Sequence, residues 1–342
     1  MKKYMLLLPI LVTLLMNGCV GGDEEGGGGI SPNPPPGPLP EPGKITYALI
    51  AITGANQIYS APIDVNGNLL WTQGKYTATN VAWQNPYYII VDSTNTNAYI
   101  ADAPLGTDGS VYKCALNNNG TLTNCSTIIN NIQRPVSMAL QGNYLYVSSA
   151  VTNGAISACN LASNPVSCTI QSATKQSNLE PVGVAVNGSK AYVTYGCVGA
   201  DVCTNAKNAL FSFDLNPNTG NISNPYRSVL TSTLSNPTDL AVNQNYLYIS
   251  NFAFNSVSQL STNLLDNGPA VSTIFKGNFE ISMSHNGKFA YIINGARQGK
   301  NNINGYISKC TVQSSGLLNN SCTPLTDPVL NQPYGIAITG EL

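Results

Sequence analysis

Eight of the nine cysteines in this 342-residue chain fall into four close pairs, and cysteines so placed either form disulfides or hold a metal. Cys114 and Cys125 flank the segment KCALNNNGTLTNC, Cys159 and Cys168 flank ACNLASNPVSC, and Cys310 and Cys322 flank KCTVQSSGLLNNSC. Cys197 and Cys203 close the shorter loop GCVGADVC. A four-cysteine zinc centre needs two pairs, each two to four residues apart, converging on one point. Separations of 9, 11 and 12 residues, spread over distant segments, do not meet that requirement, so the pairs read as disulfides. Disulfides persist in oxidising compartments, which points to export.

Other chemistry is sparse. The single histidine, His285, sits in the turn sequence SHNGK, and a Ser-His-Asp hydrolase would have to use it. No GxSxG elbow, GxGxxG turn or phosphate-cradling loop accompanies it. Carboxylates offer more. Glu180, Asp239 and Glu280 occur at the entries to three successive repeat units, and hard cations such as calcium take carboxylate and amide oxygens. If the fold brings them together, calcium is the cofactor such a set would hold.

The elements that would position these residues belong to a repeat. NPYYIIVDSTNTNAYIAD, RPVSMALQGNYLYVSS, EPVGVAVNGSKAYVTY, NPTDLAVNQNYLYISN, GNFEISMSHNGKFAYIIN and QPYGIAITGEL align on Pro86, Pro135, Pro181, Pro237, Asn278 and Pro333, which stand 41 to 56 residues apart. Each copy reads as four short strands. An apolar run after the proline leads through an Asn/Gly turn to a second run, and a longer loop leads to an alternating third strand and a short fourth. Period-2 alternation and Tyr and β-branched enrichment argue strand, and a unit of this length built only of strands is a propeller blade. The last copy supplies one strand and stops, whereas ITYALIAIT from Ile45 begins at the second strand of the unit. The expected fold is therefore all-β: a six-bladed propeller over residues 45–342. Its C-terminal strand pairs with the N-terminal strands of a composite blade, which removes open sheet edges. In this frame Cys114, Cys159 and Cys310 lie in third strands, with their mates across the turn in fourth strands.

AVNGSKAYVTY and AVNQNYLYISN resemble the YVTN-type propeller repeat and are similar to NHL and lactonase-like propellers. The resemblance implies the propeller fold and, in the lactonase-like group, an acidic ring at the channel mouth that holds a metal. That group usually has seven blades where six are counted here, and its catalytic residues do not map one by one onto this chain.

In a propeller, the connection into each first strand and the loop after each second strand share one face. Asp102, Arg134, Tyr195, Asn251, Phe252, Asn294 and Arg297 fall in those places and form the expected binding face. The three longest loops, residues 101–109, 195–208 and 294–305, follow second strands and crowd the same rim, where binding residues concentrate on a rigid scaffold.

The N-terminus is built differently. Met1-Lys2-Lys3 and an apolar run to Met16 read as a secretory signal over residues 1–18, too short to span a bilayer stably. Its end, Leu15-Met16-Asn17-Gly18-Cys19, resembles a bacterial lipobox with Cys19 as the lipidated residue, which would anchor the chain on a membrane surface. Val20 rather than Asp after that cysteine favours, by the same resemblance, the outer membrane. Residues 19–44 carry a Gly run and a Pro-rich stretch and read as a tether. Formal net charge is −1, and becomes −3 once Lys2 and Lys3 leave with the signal. Charged residues make up 9% of the chain, against about 25% ordinarily. Nothing forms a basic stripe, so nucleic acid is not an expected partner. The expected role is a lipid-anchored envelope module that binds or scaffolds another envelope protein or a glycan through its loop-rich face. The alternative is a metal-dependent, lactonase-like hydrolase.

Overall fold

The computed structural model describes residues 45–77, 79–176, 179–196, 208–229, 234–243, 245–253, 255–263, 267–271, 277–295 and 305–340, with side chains outside 224–229, 267–271 and 278–279. The expected signal, Cys19 and the tether lie outside the described residues, as do Cys197, Cys203 and Arg297.

Six four-stranded antiparallel sheets make the molecule. Their innermost strands are Pro86–Val91, Pro135–Gln141, Glu180–Asn187, Pro237–Asn243, Asn278–Met283 and Pro333–Ile338, which define blades 1 to 6. Each inner strand touches the inner strands of the two neighbouring blades, and the contacts close into a cycle. The fold is a six-bladed β-propeller. Blade 6 is composite: Pro333–Ile338 pairs antiparallel with Thr46–Ile52, with Ile336 opposite Ile50. Only three single 3₁₀ turns interrupt the β structure among the described residues.

The period-2 pattern of the sequence becomes six separate cores, one between each pair of blades. In Thr46–Ile52, Ala48, Ile50 and Ile52 face blade 5, while Leu49 and Ala51 face blade 1. Successive strand residues point to opposite faces, so an unbroken apolar run serves two interfaces at once. Both faces of every blade are covered in this way, which explains why the strands read as continuous rather than alternating apolar runs.

The tyrosine that recurs in the repeat has a defined task. Tyr99, Tyr146, Tyr192, Tyr248 and Tyr291 are each the third residue of a second strand, and all five are buried. Three of them donate to a backbone carbonyl in the next blade: Tyr192 to Thr262 at 3.0 Å, Tyr291 to Gly67 at 2.9 Å, and Tyr248 to Gly316. A second aromatic, at the start of the same strand, packs on the turn glycine of the next blade. Tyr144 sits against Gly220 and Tyr246 against Gly316, and both glycines have positive φ. These contacts fasten each blade to its successor.

Three of the expected disulfides are formed. Cys159–Cys168 and Cys310–Cys322 join directly opposed residues of third and fourth strands, and Cys114–Cys125 joins the same two strands of blade 1. Their Cα separations are 3.9, 4.2 and 3.9 Å respectively.

Candidate functional site

Every inner strand shifts register just after its proline slot, by one extra residue relative to the second strand. A bulge of this kind turns a side chain away from the regular pleat. The residue affected is the second after the slot: Tyr88, Ser137, Gly183, Asp239, Glu280 and Gly335 in blades 1 to 6. These six form one layer across the channel.

The Tyr88 hydroxyl donates to the Asp239 carboxylate, 3.2 Å from both oxygens, although the two residues come from opposite blades. Ser137 Oγ donates to Asp239 Oδ1 at 3.1 Å and accepts from the Val184 amide at 3.1 Å. The Ile281 amide donates to Asp239 Oδ2 at 3.2 Å, and the Leu240 amide also donates to this carboxylate. Room for so many groups comes from the two glycines. A Cβ on Gly183 would lie 3.0 Å from Asp239 Cα, and one on Gly335 would lie 3.0 Å from Glu280 Oε2. Glu280 is held less fully. The Ile336 amide donates to its carboxylate, but Oε2 has no hydrogen-bond partner and the residue is only 3% exposed.

Burial pushes Asp239 up to about 7, against the pull of its four donors. Burial, reinforced by the Asp239 charge, carries Glu280 well above the usual carboxylate range. The member with more hydrogen-bond donors, Asp239, takes the negative charge first, ahead of Glu280. Tyr88 is raised as well, by burial and then by the two acids, and stays a hydrogen-bond donor.

Above this layer, on the proline side, Tyr87 and Tyr334 bring their rings to 4.9 Å, and Tyr87 packs with Val136 and Val182. Below it the axis is open as a cavity of about 310 Å³, lined by inner strands of all six blades from Tyr88 and Glu280 down to His285. Val91, Leu140, Val242, His285 and Ile338 also line a second cavity of about 770 Å³ on the same side. The axial cavity thus opens on the face of the first-to-second-strand turns, opposite the face that carries the long loops.

The residues nominated by the sequence are distributed as follows. Asp239 and Glu280 meet on the axis. Glu180 does not join them, because it precedes its proline by one residue and sits outside the bulge. It is half-buried on the proline side and accepts from Thr152 Oγ1 at 3.3 Å. Among the described residues no three His, Cys, Asp or Glu gather as a metal would require. The donor set also fits a hard cation poorly, since the Asp239 oxygens already receive two N–H and two O–H hydrogens.

Asp102, Asn251, Asn294 and Tyr195, expected on an exposed rim, are all buried. Asp102 accepts from the amides of Gln84 and Asn85, and Asn251 Oδ1 from that of Ser235, clamping the chain where it enters a blade. Asn251 and Asn294 donate to Ser258 and Ser308, both near 2.9 Å. Tyr195 donates to the Thr174 carbonyl at 2.5 Å. Polar residues at blade entries are used here to satisfy backbone groups that would otherwise be buried unpaired. Phe252 is half-buried against Gly277. Arg134 remains at the surface, half-buried, and lines a notch of about 470 Å³ with loop residues Ala103–Asp108, Gln133 and Val151.

Sequence reasoning missed Tyr88, Ser137, Gly183 and Gly335. The signal was available, since all four share the register of Asp239 and Glu280 once the copies are aligned on their prolines.

No protein-family profile matches this chain, and no curated protein matches it. Solved structures do. A chain of a nidogen/laminin complex structure superposes with a TM-score of 0.65 at 15% identity, over 87% of this chain and 100% of that one. A 6-phosphogluconolactonase-type structure from Bacteroides fragilis gives 0.59 at 14% identity, over 89% of this chain and 100% of that one. TolB from Acinetobacter baumannii gives 0.56 at 12% identity, over 86% of this chain and 66% of that one. At these identities the likeness extends to the propeller fold.

Proposed function

We propose that the chain is an exported, lipid-anchored binding module of the bacterial envelope that engages a protein or glycan through the proline-side rim. The observation that carries this reading is a notched rim on the proline side, where the axis itself is closed by the Tyr87–Tyr334 layer. On the rim, Arg134 and the loop Ala103–Asp108 frame an open notch. The acid pair that could do chemistry is 1% and 3% exposed and lies beneath the Tyr87–Tyr334 layer. Three disulfides in outer strands support export to an oxidising compartment. Lipidation at Cys19 and an outer-membrane address belong to the same proposal.

The test is crosslinked capture from intact envelopes, comparing the native chain with Arg134→Ala and with residues 103–108 replaced by a Gly/Ser loop. Loss of a specific partner in both variants, with the melting temperature unchanged, is the expected result. Unaltered capture in both would remove this rim from consideration.

A second reading, a hydrolase, is favoured by one observation: two buried carboxyl groups lie together on the axis, where burial raises Asp239 to about 7 and Glu280 well above the usual carboxylate range. That is an arrangement suited to acid–base work. Lactone hydrolysis that vanishes in both Asp239→Asn and Glu280→Gln would establish it.

A further inference from the structure

We propose that the axial cavity is a second site, opening on the opposite face from the rim, that takes a primary ammonium ion carrying a short apolar chain. Its floor is the Glu280–Asp239–Tyr88 layer, and its walls are the six inner strands. Glu280 lines this space, and its Oε2 is buried and has no hydrogen-bond partner. An unpaired buried carboxyl is costly, and a bound ion or a catalytic role is among the reasons a native structure keeps one. Among the described residues that line the cavity none is Lys or Arg, so the protein supplies no counter-charge from within it. Arg134 acts on Tyr87, beyond the aromatic layer, and His285 stands at the far mouth.

The chemistry of the floor selects the head group. Anions are repelled. A hard metal ion would face the N–H and O–H hydrogens already committed to Asp239. A primary ammonium has three donors and needs three acceptors. Glu280 Oε2 supplies one. Backbone carbonyls supply others, because each inner strand pairs on one side only and turns its second edge to the axis. On binding, Glu280 gives its proton to solvent and its carboxylate pairs with the incoming cation, which offsets one of the two negative charges that the floor then carries.

The walls select the tail. Between floor and mouth stand Ile90, Ala139, Leu140, Val186, Val242 and Met283. The floor and these outermost positions are separated by three strand residues, or about 10 Å at ~3.3 Å each. That depth suits an unbranched chain of about six carbons, and the volume of about 310 Å³ is at the small end of ligand pockets.

The experiment is calorimetric titration of the full-length chain with n-hexylammonium, with 1-hexanol and hexanoate as neutral and anionic isosteres. The proposal expects 1:1 binding of hexylammonium at pH 8, at least tenfold tighter than either isostere. It also expects at least tenfold weakening at pH 5, where protons compete with the cation for the two carboxyl groups, and a similar loss in Glu280→Gln. Arg134→Ala should leave the affinity unchanged, which separates this site from the rim. Equal binding of 1-hexanol, affinity indifferent to both pH and Glu280→Gln, or no saturable binding would each overturn it. The pH series on the native chain decides the matter even if the variant does not fold.

Discussion

The Tyr88 hydroxyl lies 3.2 Å from both oxygens of Asp239, and these two residues come from blades on opposite sides of the ring. One hydrogen-bonded pair therefore spans the whole axis. Neighbouring blades are held by apolar cores and tyrosine contacts, and in this layer Tyr88 and Ser137 reach Asp239 from blades that are not its neighbours. The layer also sets the depth of the cavity beneath it, so the closure of the fold and the shape of the candidate site are the same structural event.

Replacing Tyr88 with Phe tests that bridge. The ring still fills its space, and only the hydroxyl is lost. Asp239 keeps Ser137 and two amides, but a buried charge loses one of its donors, a change that typically costs about 1–3 kcal/mol. Calorimetric unfolding should show a lower melting temperature, and Asp239→Asn in the Tyr88→Phe background should cost less than it does alone, because the two sites share one interaction.

The acid pair predicts an unusual pH dependence. Asp239 rises from 3.8 to about 7 on folding, and Glu280 rises too, so the native state binds more protons than the unfolded chain between these limits. Stability from the pair is fully present below the unfolded value and is lost as pH rises through the folded one. The melting temperature should therefore fall from pH 5 to pH 8. At about 1.4 kcal/mol per pKa unit, Asp239 alone accounts for roughly 3 kcal/mol over that range. Asp239→Asn should flatten the lower part of the curve and Glu280→Gln the upper part. A melting temperature that climbs over this interval in the native chain would contradict the assignment.

Two glycines with the same backbone conformation separate strain from contact. Gly106 and Gly316 have φ of 80° and 87°. A Cβ on Gly106 meets nothing within 4 Å, whereas one on Gly316 would lie 2.6 Å from the Tyr246 ring. Gly106→Ala should cost only the left-handed penalty, about 1–2 kcal/mol. Gly316→Ala should cost more, because Tyr246 must move and blade 4 loses part of its hold on blade 5. Equal losses in chemical denaturation would mean that the aromatic contact contributes nothing to blade association.

The ring was legible in the sequence for a physical reason: a blade cannot bury its two faces alone, so the strand pattern has to recur, and the recurrence is what alignment detects. The composite blade followed from a C-terminal copy with one strand and an N-terminal segment with the complement. Glu180 was misplaced because a difference of three residues along a strand looks trivial in an alignment of short motifs, yet the bulge re-aims only the residue at one position. Asp102, Asn251 and Asn294 look like surface polar residues in sequence. Their burial follows from backbone amides at blade entries that need acceptors, and that need is visible only once the connections are built. The identity of Tyr88's partner could not be read at all, since 151 residues separate it from Asp239.

The disulfides lead to the last prediction. Each of the three bridges seen ties a fourth strand, the outermost of its blade, to the third. In blade 2 that strand is Ser167–Gln171, where four of five residues are exposed and Ile170 is 70% exposed. Apolar contact alone cannot hold such a strand, and once detached it would leave an open edge able to pair with another chain. Replacing Cys159 and Cys168 together with alanine should cost about 3 kcal/mol or less by the chain-entropy argument for a loop of this length. The change should be local. Hydrogen exchange should accelerate in residues 167–171 with the inner strands still protected, and the variant should associate at concentrations where the native chain does not. If the global melting temperature falls while exchange in residues 167–171 stays at its native rate, the bridge acts on the unfolded chain rather than by holding the edge strand.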